Sequence, residues 1–182
     1  MKRYILTGAP GTGKTAILRQ LELQGFGVVE EAATHLIALR QAEGIAEPWT
    51  QPRFLEDVAQ LQAQRLAWAS STADTIQFHD RSLFCTLALA QYLGLPCPEA
   101  LPREAKRLCS KSLYDRRFFF IRNLGFVEPT AARRITFEES LRFEGIHEDT
   151  YRQWGFNLIP IEPAPLGERV RTICATIESP TR

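Results

Sequence analysis

Apolar positions along the chain follow two alternating patterns. Short apolar runs mark strands at Arg3–Thr7 (RYILT), Phe26–Val29, Thr75–His79 (TIQFH), Arg117–Arg122 (RFFFIR) and Phe156–Ile161 (FNLIPI). Longer stretches between them carry helical spacing. Lys14–Leu23 places Ile17, Leu18 and Leu21 on one face, and Phe54–Ala69 does the same with Leu55, Val58, Leu61 and Leu66. Further helices are predicted over Glu30–Ala42, Ser82–Leu93, about Pro98–Ser112, Ala131–Thr150 and Leu166–Ile177. Five strands interleaved with helices predict an α/β fold, a mainly parallel, doubly wound sheet with helices on both faces. Pro160 removes one ladder donor from the last strand, so that strand is expected at an edge or to end there.

The chain of 182 residues has room for one sizeable core, and no linker or repeat divides it, so residues 1–182 are read as a single domain. With 22 basic and 21 acidic residues, the charge balance argues against nucleic acid as a general partner. Cys85, Cys97, Cys109 and Cys174 show no zinc-ligand or CxxC spacing. The N-terminal apolar run is only Tyr4-Ile5-Leu6, and no stretch reaches the ~18 residues of a membrane span, so a cytoplasmic protein is expected.

Chemistry enters at the end of the first strand. Gly8-Ala9-Pro10-Gly11-Thr12-Gly13-Lys14-Thr15 matches GxxxxGK[ST], with a strand before it and a helix after it. Gly8, Gly11 and Gly13 let the backbone turn so that the N–H groups of the loop, Pro10 excepted, and of Ala16 face phosphate oxygens. The positive end of the new helix points at the same anion. Lys14 is placed to reach the β- and γ-phosphates, and the Thr15 hydroxyl to ligate Mg²⁺. The expected ligand is ATP, with GTP the other candidate.

Such a site needs a carboxylate at the end of a neighbouring strand, and Asp80 is the first after TIQFH. Asp80 is assigned to Mg²⁺ together with Thr15; the bland reading is a helix cap shared with Ser82. The next residue is Arg81, where many motor ATPases carry a second acid that activates water. A cation beside the phosphates suits transfer to a bound acceptor. No NKxD guanine-recognition motif occurs.

Asp80-Arg81-Ser82 resembles the D/E-R-S motif of deoxynucleoside kinases. More of the chain resembles the small ATPase-type proteins of the AAA_28 group, whose relatives include the ribosylnicotinamide kinase domain of NAD-biosynthesis regulators. The matching pieces are GAPGTGKT at Gly8, VVEEAA at Val28, Pro48-Trp49, FHDRS at Phe78, YLGLP at Tyr92, RFFFIRNL at Arg117, YRQWGFNLIPIE at Tyr151 and LGERVRTI at Leu166. The resemblance implies a P-loop NTPase three-layer sandwich with strand order 2-3-1-4-5 and a small helical lid near residues 125–150. The commoner family form after the third strand is DRG followed by an acid, so DRS leans toward the nucleoside-kinase pattern.

In related kinases a carboxylate at the end of the second strand deprotonates the acceptor hydroxyl. Glu30 and Glu31 both stand there; Glu30 is nearer the strand, and the plain reading of the pair is two acids stabilising a helix N-terminus. Arg133 and Arg134 resemble lid arginines that close over phosphates, against a plain reading as a solvated helix stitched by i,i+4 pairs. Arg116 and Arg117 are read as strand flanks, and His35, His79 and His147 as structural. Trp49 lines either an acceptor pocket or the core. Together these residues predict a kinase that transfers the γ-phosphoryl of Mg-ATP to a nucleoside, nucleotide or similar small molecule. The alternative is a nucleotide-dependent switch or weak NTPase acting on a partner.

Overall fold

In the computed structural model, residues 1–125 and 136–179 are described. The elements run β1 (Lys2–Thr7), α1 (Lys14–Leu23), β2 (Gly27–Val29), α2 (Ala32–Ala42), a 3₁₀ turn (Pro48–Thr50), α3 (Phe54–Ala69), β3 (Ile76–Asp80), α4 (Leu83–Leu93), α5 (Ala100–Ser110), β4 (Arg117–Ile121), α6 (Phe137–Gln153), β5 (Asn157–Ile161) and α7 (Leu166–Glu178). All five strands are parallel in the order β2-β3-β1-β4-β5, as the resemblance implies. β5, with Pro160, is an edge strand.

The strands are apolar on both faces because both faces are covered. Along β1 and β4 the faces alternate. Tyr4, Leu6, Phe119 and Ile121 pack with Ile17, Leu18 and Leu21 of α1 and Val170 and Ile173 of α7. Ile5, Phe118 and Phe120 point the other way, to Phe54 and Leu55 of α3, Phe84 of α4, Leu101 of α5 and Tyr151 of α6. Phe118 and Tyr151 stack with centroids 4.3 Å apart, which fixes α6 against the sheet. No helix of the described residues is long and apolar enough to cross a membrane.

α4 and α5 start one and two residues later than predicted, and the later starts of α2 and α6 have identifiable causes. α2 begins at Ala32 rather than Glu30, because Arg65 of α3 donates to the carbonyls of Glu30 (2.7 Å) and Glu31 (2.6 Å) and holds both residues outside the helix. α6 begins at Phe137, behind a capping box in which Thr136 and Glu139 satisfy each other's backbone N–H groups. From there α6 lies on α4, burying Phe143, His147, Thr150 and Tyr151, so residues 137–150 of the expected lid are part of a packed helix. Arg133 and Arg134 lie outside the described residues.

β1 is flanked by β3 on one side and β4 on the other, so the order reverses beside it. Ligands of open α/β sheets bind outside the carboxyl ends of strands at such a reversal. Thr7, Val29, Asp80 and Ile121 end their strands there, each followed by residues of the site.

Candidate active site

The phosphate loop spans Gly8 to Thr15. Gly8, Gly11 and Gly13 hold φ values of +140°, +86° and +81°, which side chains oppose and which turn the backbone N–H groups inward. At Gly8 a Cβ would also collide with the carbonyl of Ile121 at the end of β4. Pro10 and Gly11 sit half-buried at the crest, Thr12 ties its hydroxyl back to the Ala9 carbonyl (3.1 Å), and Thr15 and Ala16 open the exposed first turn of α1. Lys14 is buried, and its ammonium lies within the loop, 2.7 Å from the Ala9 carbonyl and 3.1 Å from that of Gly8.

Arg169 also belongs to the loop, although nothing in its sequence neighbourhood signals it. It is a buried residue of α7, its Nη1 donates to the Thr12 carbonyl (2.8 Å), and its guanidinium lies against Gly13. Burial lowers its pKa. Strand spacing does not predict it, because Arg169 lies 157 residues from Thr12.

Asp80 is the last residue of β3, buried and in register with Leu6 of the neighbouring β1, which places it beside the loop. It is not the cap of α4. Ser82 holds that position without capping, and its hydroxyl instead meets Tyr151 Oη at 2.7 Å. Thr15 and Asp80 offer a hydroxyl and a carboxylate oxygen. Such an all-oxygen set suits Mg²⁺, whose remaining places go to phosphate oxygens and water.

Arg81 adopts a left-handed backbone, φ 67°, and is 9% exposed. Its Nε lies 2.7 Å from Glu31 Oε1, joining the ends of β2 and β3. Burial opposes the guanidinium's charge, but Glu31, Cys85 and Asp80 outweigh it and the net shift is upward, so Arg81 stays charged. Glu31 is further held by Thr34 Oγ1 at 2.7 Å. Glu30 points elsewhere: it is 41% exposed and paired with Arg19 and with His35 (3.7 Å). The Arg19 hydrogen bond lowers its pKa. Of the two carboxylates the structure brings Glu31 to Arg81.

Two groups on α6 complete the surroundings. His147 Nε2 lies 3.0 Å from Arg81 Nη1, and the ring is fully buried. Glu144, one turn earlier, is buried with its pKa raised by desolvation, against the opposing pull of Arg122 and the Asn123 N–H. Arg122, just past the end of β4, is held by Glu148 and lies 3.9 Å from Glu144. Arg116 and Arg117 flank the far end of β4; Arg117 meets Asp115 and Tyr4 there. Trp49 packs against the core. His79 is buried against Tyr114, and burial and the charge of Arg3 push its pKa down to about 3.

A family model described as an AAA domain, AAA_28, matches residues 3–169. The chain belongs to the AAA_28 family. No curated protein matches this AAA_28 chain. Among solved structures it is similar to a deoxyadenosine kinase from M. mycoides with bound dCMP and dCDP, with a TM-score of 0.66 and 12% identity over 96% of this chain and 98% of that one. A thymidylate kinase from Ehrlichia chaffeensis gives a TM-score of 0.63 and 14% identity over 97% and 98%. The NadR protein in complex with NAD and AMP-PNP gives a TM-score of 0.69 and 15% identity; all of this chain matches 51% of that one, about half its length. At these identities the likeness is one of fold: this AAA_28 domain has the P-loop kinase architecture.

Proposed function

We propose that the protein is a Mg²⁺-dependent kinase that moves the γ-phosphoryl group of ATP, or of GTP, onto a hydroxyl of a nucleoside-like small molecule. The observation that carries this reading is the Glu31–Arg81 pair at the adjoining ends of β2 and β3, next to the phosphate loop. A phosphate acceptor calls for uncompensated cations, whereas a hydroxyl acceptor calls for a base. Among the described residues the arginines near the β2 end are matched: Arg81 by Glu31, Arg19 by Glu22 and Glu30, Arg65 by two carbonyls and His35. What the β2 end offers an acceptor is carboxylate.

In this reading the loop N–H groups, Lys14 and α1's N-terminus hold the triphosphate. Thr15 and Asp80 would hold Mg²⁺, which would supply charge neutralisation at the phosphates. The Glu31 carboxylate takes the proton of the acceptor hydroxyl, and that oxygen attacks the γ-phosphorus. The bond from the γ-phosphorus to the bridging oxygen breaks, and ADP leaves with the electron pair. Arg81 stabilises charge on the transferring group, and Arg133 and Arg134, outside the described residues, are proposed to add positive charge there.

The test is ADP release from Mg-ATP across nicotinamide riboside, deoxynucleosides and nucleoside monophosphates, with Lys14→Ala and Asp80→Asn beside the wild type. Stimulation by one hydroxyl acceptor, lost in both variants, is the expected result. Stimulation by a monophosphate alone overturns the hydroxyl assignment. Nucleotide binding without stimulation by any acceptor turns the reading to a nucleotide-dependent switch.

A further inference from the structure

The catalytic segment Arg81-Ser82 is gripped from outside the sheet by one face of α6. Phe143, His147 and Tyr151 stand four residues apart on that face, and each meets it. The Phe143 ring centroid lies 6.0 Å from the Arg81 guanidinium carbon. His147 Nε2 meets Arg81 Nη1 at 3.0 Å, and Tyr151 Oη meets Ser82 Oγ at 2.7 Å and Cys85 Sγ at 3.1 Å. Cys85 in turn contacts Thr7 Oγ1 at 3.1 Å, at the strand end that leads into the phosphate loop.

The histidine is polarised by its own helix. Its Nδ1 lies 2.9 Å from the Phe143 carbonyl, which only accepts, so Nδ1 carries the proton. The Nε2 lone pair is then left to accept from Arg81. No other tautomer satisfies both contacts, and a charged ring would set a donor against a guanidinium. Arg81 needs such an acceptor because it is buried in a left-handed conformation that a non-glycine residue adopts only when its surroundings hold it.

We infer that His147 is a positioning residue for the reaction: its neutral imidazole, aimed by the Phe143 carbonyl, fixes the direction of the Arg81 guanidinium while Glu31 fixes its near end. This rests on the kinase reading for its catalytic consequence but not for its geometry. Two variants of the full chain separate packing from acceptance. His147→Phe keeps a ring in the cavity and removes the acceptor. His147→Gln keeps an amide oxygen able to reach the same place.

The Phe variant is expected to lose roughly 10- to 100-fold in kcat, with nucleotide Kd within about threefold of wild type, and the Gln variant to recover most of that loss. In an Arg81→Lys background the Phe substitution should add little. A Phe variant that folds and keeps wild-type kcat overturns the proposal, as does a loss confined to nucleotide affinity. The ¹⁵N spectrum of the imidazole decides the geometry without any turnover. A proton on Nδ1, and an Nε2 resonance that moves in Arg81→Lys, are expected. A proton on Nε2, or an Nε2 signal indifferent to Arg81, overturns the inference. Absence of acceptor-stimulated turnover in the wild type would fail the kinase reading alone, because the spectrum still tells whether His147 holds Arg81.

Discussion

Eight consecutive residues, Gly8 to Thr15, make the phosphate loop, whereas the cluster beside it draws Glu31 from the end of β2, Arg81 from the end of β3 and His147 from α6. The loop works through backbone dipoles set by local φ angles, with one lysine folded into it. The cluster is built on side-chain charge, and its buried cation is tolerable because Glu31, Cys85 and Asp80 offset its burial and His147 meets its far end. The two regions therefore fail differently. In the proposed reading, a change in the loop's backbone is expected to remove nucleotide binding, while a change in the cluster is expected to leave nucleotide bound and remove what is done with it.

The sharpest way to break this contrast is to exchange the two neighbouring carboxylates in turn. Glu31→Gln is expected to lower acceptor-dependent turnover by about 10²- to 10⁴-fold with nucleotide affinity little changed. Glu30→Gln, half-exposed and tied to Arg19, should stay within about threefold. Steady-state ADP release and calorimetric nucleotide titration read both quantities. Greater damage from Glu30→Gln would reverse the assignment.

Next in size is the loop itself. Gly8→Ala forces a side chain into φ +140° and into the Ile121 carbonyl. It should cost about 2 kcal/mol or more in urea unfolding and abolish nucleotide binding. A stable Gly8→Ala protein that binds ATP normally would show that the loop is more plastic than its geometry indicates.

Smaller, and specific to the cluster's side of the sheet, is a dependence on pH. His79 and His147 are both buried neutral there, His79 with its pKa down to about 3 and His147 well below its usual value, each chiefly by burial. The unfolded chain binds protons at these rings below about pH 6.5, and the folded chain does not. Stability should therefore be full above that pH and fall by about 1.4 kcal/mol per pH unit per histidine as pH drops toward the folded pKa. Urea melts at pH 7.5, 6 and 5 measure the slope, and His79→Leu should remove one proton's share. An unchanged slope in that variant would place the acid sensitivity elsewhere.

The periodicity of apolar residues was sufficient for every described strand and helix, with ends off by a residue or two except at α6. Local rules of this kind suffice because strands buried on both faces read as unbroken apolar runs and helices as stripes. The α2 start was misread because Arg65, 34 residues from Glu31, competes for the backbone there. Histidines 79 and 147 look alike in sequence, as neither has ligand spacing, yet one is buried beside Tyr114 and the other accepts from Arg81.

The sequence alone determined the phosphate loop, because its glycine conformations, lysine and helix start all lie within one contiguous turn. It also determined the carboxylate at the end of β3, because a strand end is a local feature. Only the tertiary structure brought Glu31 rather than Glu30 to Arg81, set His147 beside the same guanidinium and laid Arg169 against Gly13. Those contacts join residues 50 to 156 positions apart. Their partners are chosen by which helix face packs on which strand end, and no local spacing encodes that.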